Sequence, residues 1–265
     1  INRTNQDTNI SSEDSNIFRW WPPEFTISQF DYIANQGVKN IKIADELFVL
    51  NPSHFIAICS LIKERGYDFN IWAYSRIDTC KPEYLDILAE SGVKWLGLGI
   101  ENPNEVLRKE IHKDGYKEVK ILDIIDMIHS SGINVSGNYI FGLPNDTKES
   151  IQATLSFALD NMTEMVNFYS AMAYPGSPLY FKAKQLKIKL PDNYVGYSQH
   201  AYETLNLSND NLSSESILLF RDRAWQKYHS NPKYLNLLEK KFGKPAREDL
   251  EKTLKIKLKR KILGD

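Results

Sequence analysis

Five short phrases of this chain set ionisable or amide side chains beside small or aromatic ones: Ala44-Asp45-Glu46-Leu47-Phe48, Tyr74-Ser75-Arg76-Ile77-Asp78, Gly97-Leu98-Gly99-Ile100-Glu101-Asn102, Gly137-Asn138-Tyr139-Ile140-Phe141-Gly142-Leu143-Pro144 and Ala173-Tyr174-Pro175-Gly176-Ser177-Pro178. Carboxylates such as Asp45, Glu46 and Glu101 accept hydrogen bonds from an ammonium group or from hydroxyls. Ser75 and Asn138 offer neutral donors and acceptors, and Arg76 makes a charge-assisted pair with a carboxylate. Gly97, Gly99, Gly137 and Gly142 let backbone come close to a flat ring. If these groups converge, they suit a zwitterion that carries hydroxyls and a planar ring. Each also has a plainer role: Arg76 and Glu101 as a rim ion pair, Gly142 and Pro144 as turn residues.

Thiols and imidazoles are sparse. Cys59 lies in the apolar phrase Phe55-Ile56-Ala57-Ile58-Cys59-Ser60-Leu61-Ile62 and reads as a small core residue, while Cys80 follows a polar phrase with no neighbouring activator. The five histidines, His54, His112, His129, His200 and His229, form no pair at metal-ligand spacing. The aromatic residues Tyr139, Phe141, Tyr169 and Tyr174 suit either an apolar pocket or ordinary core.

The phrases hang on alternating elements. Short apolar runs at 40–44, 69–74, 95–100, 135–141 and 166–172 predict strands, and helical patterns fall at 23–36, 52–65, 82–91, 117–131 and 147–161. Gly66, Gly92 and Gly132 each follow a predicted helix, where a left-handed residue closes the last turn. Strands alternating with helices imply βαβ units and a parallel sheet, and in such sheets ligands sit at the carboxyl ends of the strands. Periodicity alone does not separate a barrel from an open doubly wound sheet. After Pro191 the alternation stops, and helices are predicted at 213–229, 232–242 and 245–263. The basic run Lys252, Lys255, Lys257, Lys259, Arg260 and Lys261 reads as a solvated helix end whose charge suits the helix dipole.

Composition bounds the function. The 265 residues are 42% hydrophobic and 25% charged with a formal net charge of -1, so a sizeable core forms and no global field recruits nucleic acid or a membrane surface. No apolar run is long enough to cross a bilayer, no basic-then-apolar leader is present, and two cysteines make no disulfide framework, so a reducing cytoplasm is expected. Since the chain opens at Ile1 and its first methionine is Met127, a longer parent polypeptide is expected.

Taken as a series, the phrases from about residue 22 to 180 resemble the radical SAM superfamily, and within it the branch that often carries an N-terminal cobalamin-binding domain. The matching features are Asp45-Glu46 before Leu47-Phe48, Arg76-Ile77-Asp78, Gly99-Ile100-Glu101-Asn102, Gly142-Leu143-Pro144 with Thr147-Lys148-Glu149, and Pro175-Gly176-Ser177-Pro178-Leu179. The resemblance implies an α/β fold, a partial parallel (β/α)6 TIM-like barrel lacking its first strand, with a C-terminal helical extension. It divides the chain into a remnant of the cluster segment at 1–22, the barrel at 23–190 and the extension at 191–265. It also implies S-adenosylmethionine (SAM) as cofactor, with Asp45 and Glu46 on its ammonium group, Arg76 and Glu101 toward carboxylate and ribose, Ser75 and Asn138 nearby, and the backbone of Phe141, Gly142 and Pro144 against adenine.

Members of this family hold a [4Fe–4S] cluster through three closely spaced cysteines, which this chain lacks. The expectation is that these cysteines lie upstream in the parent protein, with cobalamin bound there too if the branch assignment holds. The fragment itself is expected to be inactive and to hold no cofactor tightly. The parent would cleave SAM reductively to a 5′-deoxyadenosyl radical acting on a small-molecule substrate, with methyl transfer as the outcome where cobalamin is present. The alternative is a non-catalytic barrel scaffold that has lost its cluster.

Overall fold

The computed structural model of the chain describes residues 19–104 and 121–265. Strands β1 (Asn40–Lys42), β2 (Asn70–Arg76), β3 (Val93–Glu101), β4 (Asn134–Phe141) and β5 (Met165–Ser170) alternate with helices α1 (Pro23–Asn35), α2 (Pro52–Arg65), α3 (Pro82–Glu90), α4 (Ile121–Ser130) and α5 (Lys148–Asp160). Helices α6 (Pro178–Gln185), α7 (Ser214–His229), α8 (Pro232–Phe242) and α9 (Lys244–Thr253) follow. The predicted opening of α4 at 117–120, and the segment 1–18, lie outside the described residues.

The sheet order is β1-β2-β3-β4-β5, and the pairs from β1 to β4 are parallel. A doubly wound sheet reverses its order at a switch point; consecutive order without reversal is the winding of a β/α barrel. The fold is therefore α/β, of the partial parallel barrel class.

Local chemistry explains the elements. Helix α2 starts with Pro52 at its first position and ends at Gly66, whose φ of 69° is left-handed and whose N–H bonds the Lys63 carbonyl. Its buried residues Phe55, Ile58, Cys59 and Ile62 recur at three- and four-residue spacing, which makes one apolar stripe. Helix α4 repeats the device with Ile121, Ile124, Ile125 and Ile128. Gly92, with φ of 93°, needs to be glycine for a second reason: a Cβ there would stand 2.8 Å from the Phe69 carbonyl oxygen.

The chain divides into two compact units. In the unit made of Arg19–Tyr139 and Asn161–Asn167, Phe30 packs on Phe69 and Phe55 edge-on against Tyr84. In the unit containing Ile140–Asp160 and Phe168–Asp265, the stacked pair Phe141–Phe168 meets Phe220 and Tyr228, and Arg221 Nε donates to the Phe168 carbonyl.

One predicted element is corrected. The last helix ends at Thr253, short of the predicted 263, and a separate 3-10 turn covers Lys261–Leu263. Beyond Thr253, Ile256 and Leu258 alternate with Lys255, Lys257 and Lys259 at period two, which cannot present one face of a helix. Of the basic run only Lys252 lies in the last turn of the helix, and the rest does not continue it. The run's Arg260 is fully buried, with Nε and Nη2 on the two carboxylate oxygens of Asp222.

Candidate functional site

Side chains two apart on a strand share a face, and register partners on parallel strands lie side by side. Within the Arg19–Tyr139 unit this places Trp72, Tyr74 and Arg76 of β2 on one face. The partners of those residues on β3 are Trp95, Gly97 and Gly99, which in turn pair with Asn134, Ser136 and Asn138 on β4. Lys42 of β1 is the partner of Trp72. The face is graded along the strands, with tryptophans toward the amino ends, Tyr74 beside Gly97 in the middle, and Arg76, Gly99 and Asn138 level at the carboxyl ends.

Arg76 donates from Nε and Nη2 to the two oxygens of Asp78, at 2.8 and 2.6 Å. Both side chains keep about one fifth of their surface exposed, so the pair sits at an accessible edge. Asn138 accepts from Asn167 Nδ2 at 2.9 Å, while its own Nδ2 donates to the Leu98 and Ser136 carbonyls, which fixes its amide plane.

Glu101 is held differently. The register slips between Gly99 and Glu101, and Asn102 N–H bonds the Ile100 carbonyl across it at 2.8 Å. With φ of 62° at Glu101, this is a γ-turn of the strained hand, in a non-glycine residue that is itself buried. Bulge and turn together re-aim the strand exit. Asn102 Oδ1 then accepts from Asn104 N–H and closes the next turn.

The other expected residues lie in different surroundings. Asp45 and Glu46 are exposed in the turn after β1. Ser75, one residue from Arg76, falls on the opposite face of β2, where its hydroxyl meets Thr79 and the Arg76 carbonyl. In the second unit, Phe141 has a fully buried side chain stacked at 5.3 Å on Phe168. Gly142 has φ of 82°, and a Cβ on it would strike Ile217 at 2.7 Å, so packing there requires glycine. The N–H groups of Gly142 and Leu143 both donate to Asp146 Oδ2, and Pro144 is half-buried in that turn. Tyr139 is buried core, whereas Tyr174 is exposed.

Neither thiol fits an iron–sulfur cluster. Cys59 and Cys80 are buried, and burial pushes their pKa up to about 11 and about 12, so the thiolate that binds iron is suppressed. Among the described residues no three His, Cys, Asp or Glu side chains are grouped to hold a metal ion. The Arg76–Asp78 pair and the Asn138 amide offer charged and polar groups at one strand-end level, and neither cysteine offers a cluster a thiolate.

Sequence reasoning overlooked Lys42, Trp72, Trp95 and Asn167. The signal is present for one of them: Trp72, Tyr74 and Arg76 stand at period two, so the face of Arg76 names Trp72, whereas Lys42, Trp95 and Asn167 join it through register and packing.

Comparison with known proteins bears on the same elements. An uncharacterized methyltransferase of Pyrococcus horikoshii is 27% identical over 80% of this chain and 44% of its own length. The bacteriochlorophyllide d C-12(1)-methyltransferase of Chlorobaculum tepidum is 25% identical over 70% of the chain and 41% of its own length. The chain thus spans less than half the length of these relatives. Two solved structures share the fold. The radical S-adenosylmethionine methyltransferase TsrM of Kitasatospora setae has a TM-score of 0.56 at 18% identity, over 62% of this chain and 31% of that one. The cobalamin-dependent S-adenosylmethionine radical enzyme OxsB has a TM-score of 0.57 at 14% identity, over 89% and 43%. The Radical SAM superfamily model matches residues 7–158, more than half of the chain, and the chain belongs to the radical SAM superfamily.

Proposed function

We propose that this chain is the SAM-binding and substrate-binding part of a radical SAM methyltransferase. Its parent would cleave SAM reductively to a 5′-deoxyadenosyl radical or pass its methyl group, through cobalamin, to an unactivated carbon of a small molecule. What carries the reading is the level at the carboxyl ends of β2 to β4, where Arg76, Gly99 and Asn138 are register partners beside the strained Glu101 turn. There Arg76 and Glu101 would meet the carboxylate and ribose of SAM, with Asn138 supplying a fixed amide. The exposed Asp45 and Glu46 would take its ammonium group, and Ser75 would hold the turn that aims Arg76. The methyltransferase relatives support the reaction class.

Because Cys59 and Cys80 do not fit, the three cluster thiolates would come from a segment outside these 265 residues. The chain alone would then be inactive, and its natural setting would be a reducing cytoplasm. Among the described residues no helix is long and apolar enough to cross a membrane.

The burial of both thiols also favours a second reading, a barrel scaffold that has lost its cluster. Anaerobic reconstitution of the full-length parent with iron and sulfide separates the two. About four irons per chain, with SAM consumed on reduction, is the expected result. Iron near zero in a parent whose N-terminus is intact would establish the scaffold instead.

A further inference from the structure

The aromatic floor of the graded face lies outside the level assigned above to SAM. Trp72 and Trp95 are register partners whose rings stack at 5.3 Å with 14° between their planes, and both remain half-exposed. Lys42 Nζ stands 5.9 Å from the Trp72 ring centre and 5.2 Å from that of Tyr74, so the lysine leans from the floor toward the carboxyl ends. Among the described residues no carboxylate pairs with this ammonium, which is exposed to solvent and rests against the two ring faces, so it stays available to an anion.

A second observation falls at the same corner. Trp72 Nε1 is a buried donor with no acceptor among the described residues, an unfavourable arrangement that a ligand acceptor would relieve. The Tyr74 ring lies over this corner because residue 97 is glycine: a Cβ there would meet Tyr74 Cδ1 at 2.7 Å and Trp72 Nε1 at 3.2 Å. A cation and a stacked aromatic pair therefore face one space, with the unsatisfied N–H at its edge beneath the Tyr74 ring. Together they select a ligand with an anionic acceptor group and a flat π surface.

We propose that this floor binds the substrate, and that the substrate is a flat unsaturated ring bearing a carboxylate. The carboxylate meets Lys42 Nζ, with Trp72 Nε1 as second donor once Tyr74 swings aside, and the ring then lies along the Trp72–Trp95 pair. Trp72 and Arg76 are four residues apart on one strand, about 13 Å along its axis. Substrate and SAM accordingly stack along the strands and do not compete. This inference rests on the assignment of the Arg76 level to SAM.

Three probes separate the two properties: 1-naphthoate is flat and anionic, 1-naphthalenemethanol flat and neutral, and cyclohexanecarboxylate anionic and not flat. Calorimetric titration into the chain should find naphthoate bound at least tenfold more tightly than either of the others. Lys42→Met should bring naphthoate down to the level of the alcohol and leave the alcohol unchanged, while Lys42→Arg keeps the preference and shows that the site still folds. Equal affinity for naphthoate and the alcohol, absence of both included, overturns the proposal, as does a Lys42→Met variant that binds naphthoate unchanged. SAM titrated into the same samples tests the underlying assignment separately. SAM binding weakened by Arg76→Gln but not by Lys42→Met supports both. A naphthoate preference with SAM binding indifferent to Arg76→Gln removes the SAM assignment and leaves the anion site standing.

Discussion

Two arginine–aspartate forks do different work in the two units of this chain. Arg76 and Asp78 are two residues apart, and both side chains are about one fifth exposed. Arg260 and Asp222 are 38 positions apart, and the Arg260 side chain has no exposed surface. The second arginine is also fully engaged: Nη1 reaches the Ala201 carbonyl and the Thr204 hydroxyl, while Arg221 donates to the same Asp222. Identical pairing chemistry thus serves two ends. A local, wetted fork is cheap to rearrange and suits a binding edge, whereas a buried one ties distant segments together and tolerates no loss of a partner.

The contrast can be broken most decisively at Arg260. Arg260→Met should cost about 3 kcal/mol or more, because it strips Asp222 of its main partner and leaves the Ala201 carbonyl and the Thr204 hydroxyl without their donor. A denaturation midpoint that barely moves would show the buried fork to be dispensable.

Next in size is acid sensitivity in the same unit. Burial above all, with Arg221 adding to it, lowers the His229 pKa from 6.5 to about 4, and its Nδ1–H donates to the Trp225 carbonyl. The unfolded chain then takes up the proton first on acidification. The stability contributed by neutral His229 is complete above about pH 6.5 and is lost as pH falls toward 4, by up to about 3 kcal/mol. His229→Gln should flatten urea midpoints across that window; an unaltered slope would place the acid sensitivity elsewhere.

The smallest effect belongs to the exposed fork. Arg76→Gln should change stability by less than about 1 kcal/mol. If its melting temperature falls as far as that of Arg260→Met, the two forks are equivalent and the comparison fails.

Much of this molecule could be read before it was seen. Helix α2 matched its predicted bounds because proline, the apolar stripe and Gly66 are local signals. The strand exits were found for the same reason. The graded face was half legible: Trp72, Tyr74 and Arg76 alternate in plain view, yet the partner of Trp72 depends on register, which no local pattern states. Gly142 was legible as a special position but not why it is one, since Ile217 lies 75 positions further along the chain. The basic run suggests a continuing helix by its lysines alone, whereas the period-two placement of Ile256 and Leu258 beside them does not suit one.

The sequence by itself determined the βα alternation, the polar strand ends, the family and the lack of cluster cysteines, all of which depend on residue types and short spacings. Only the tertiary structure decided that the strands run in consecutive order, that Ser75 turns away from Arg76, that both thiols are silenced by burial and that Arg260 is structural. The physical reason is common to all four: pairing register, facing and desolvation are set by residues far apart in the chain, and their energies exist only once those residues meet.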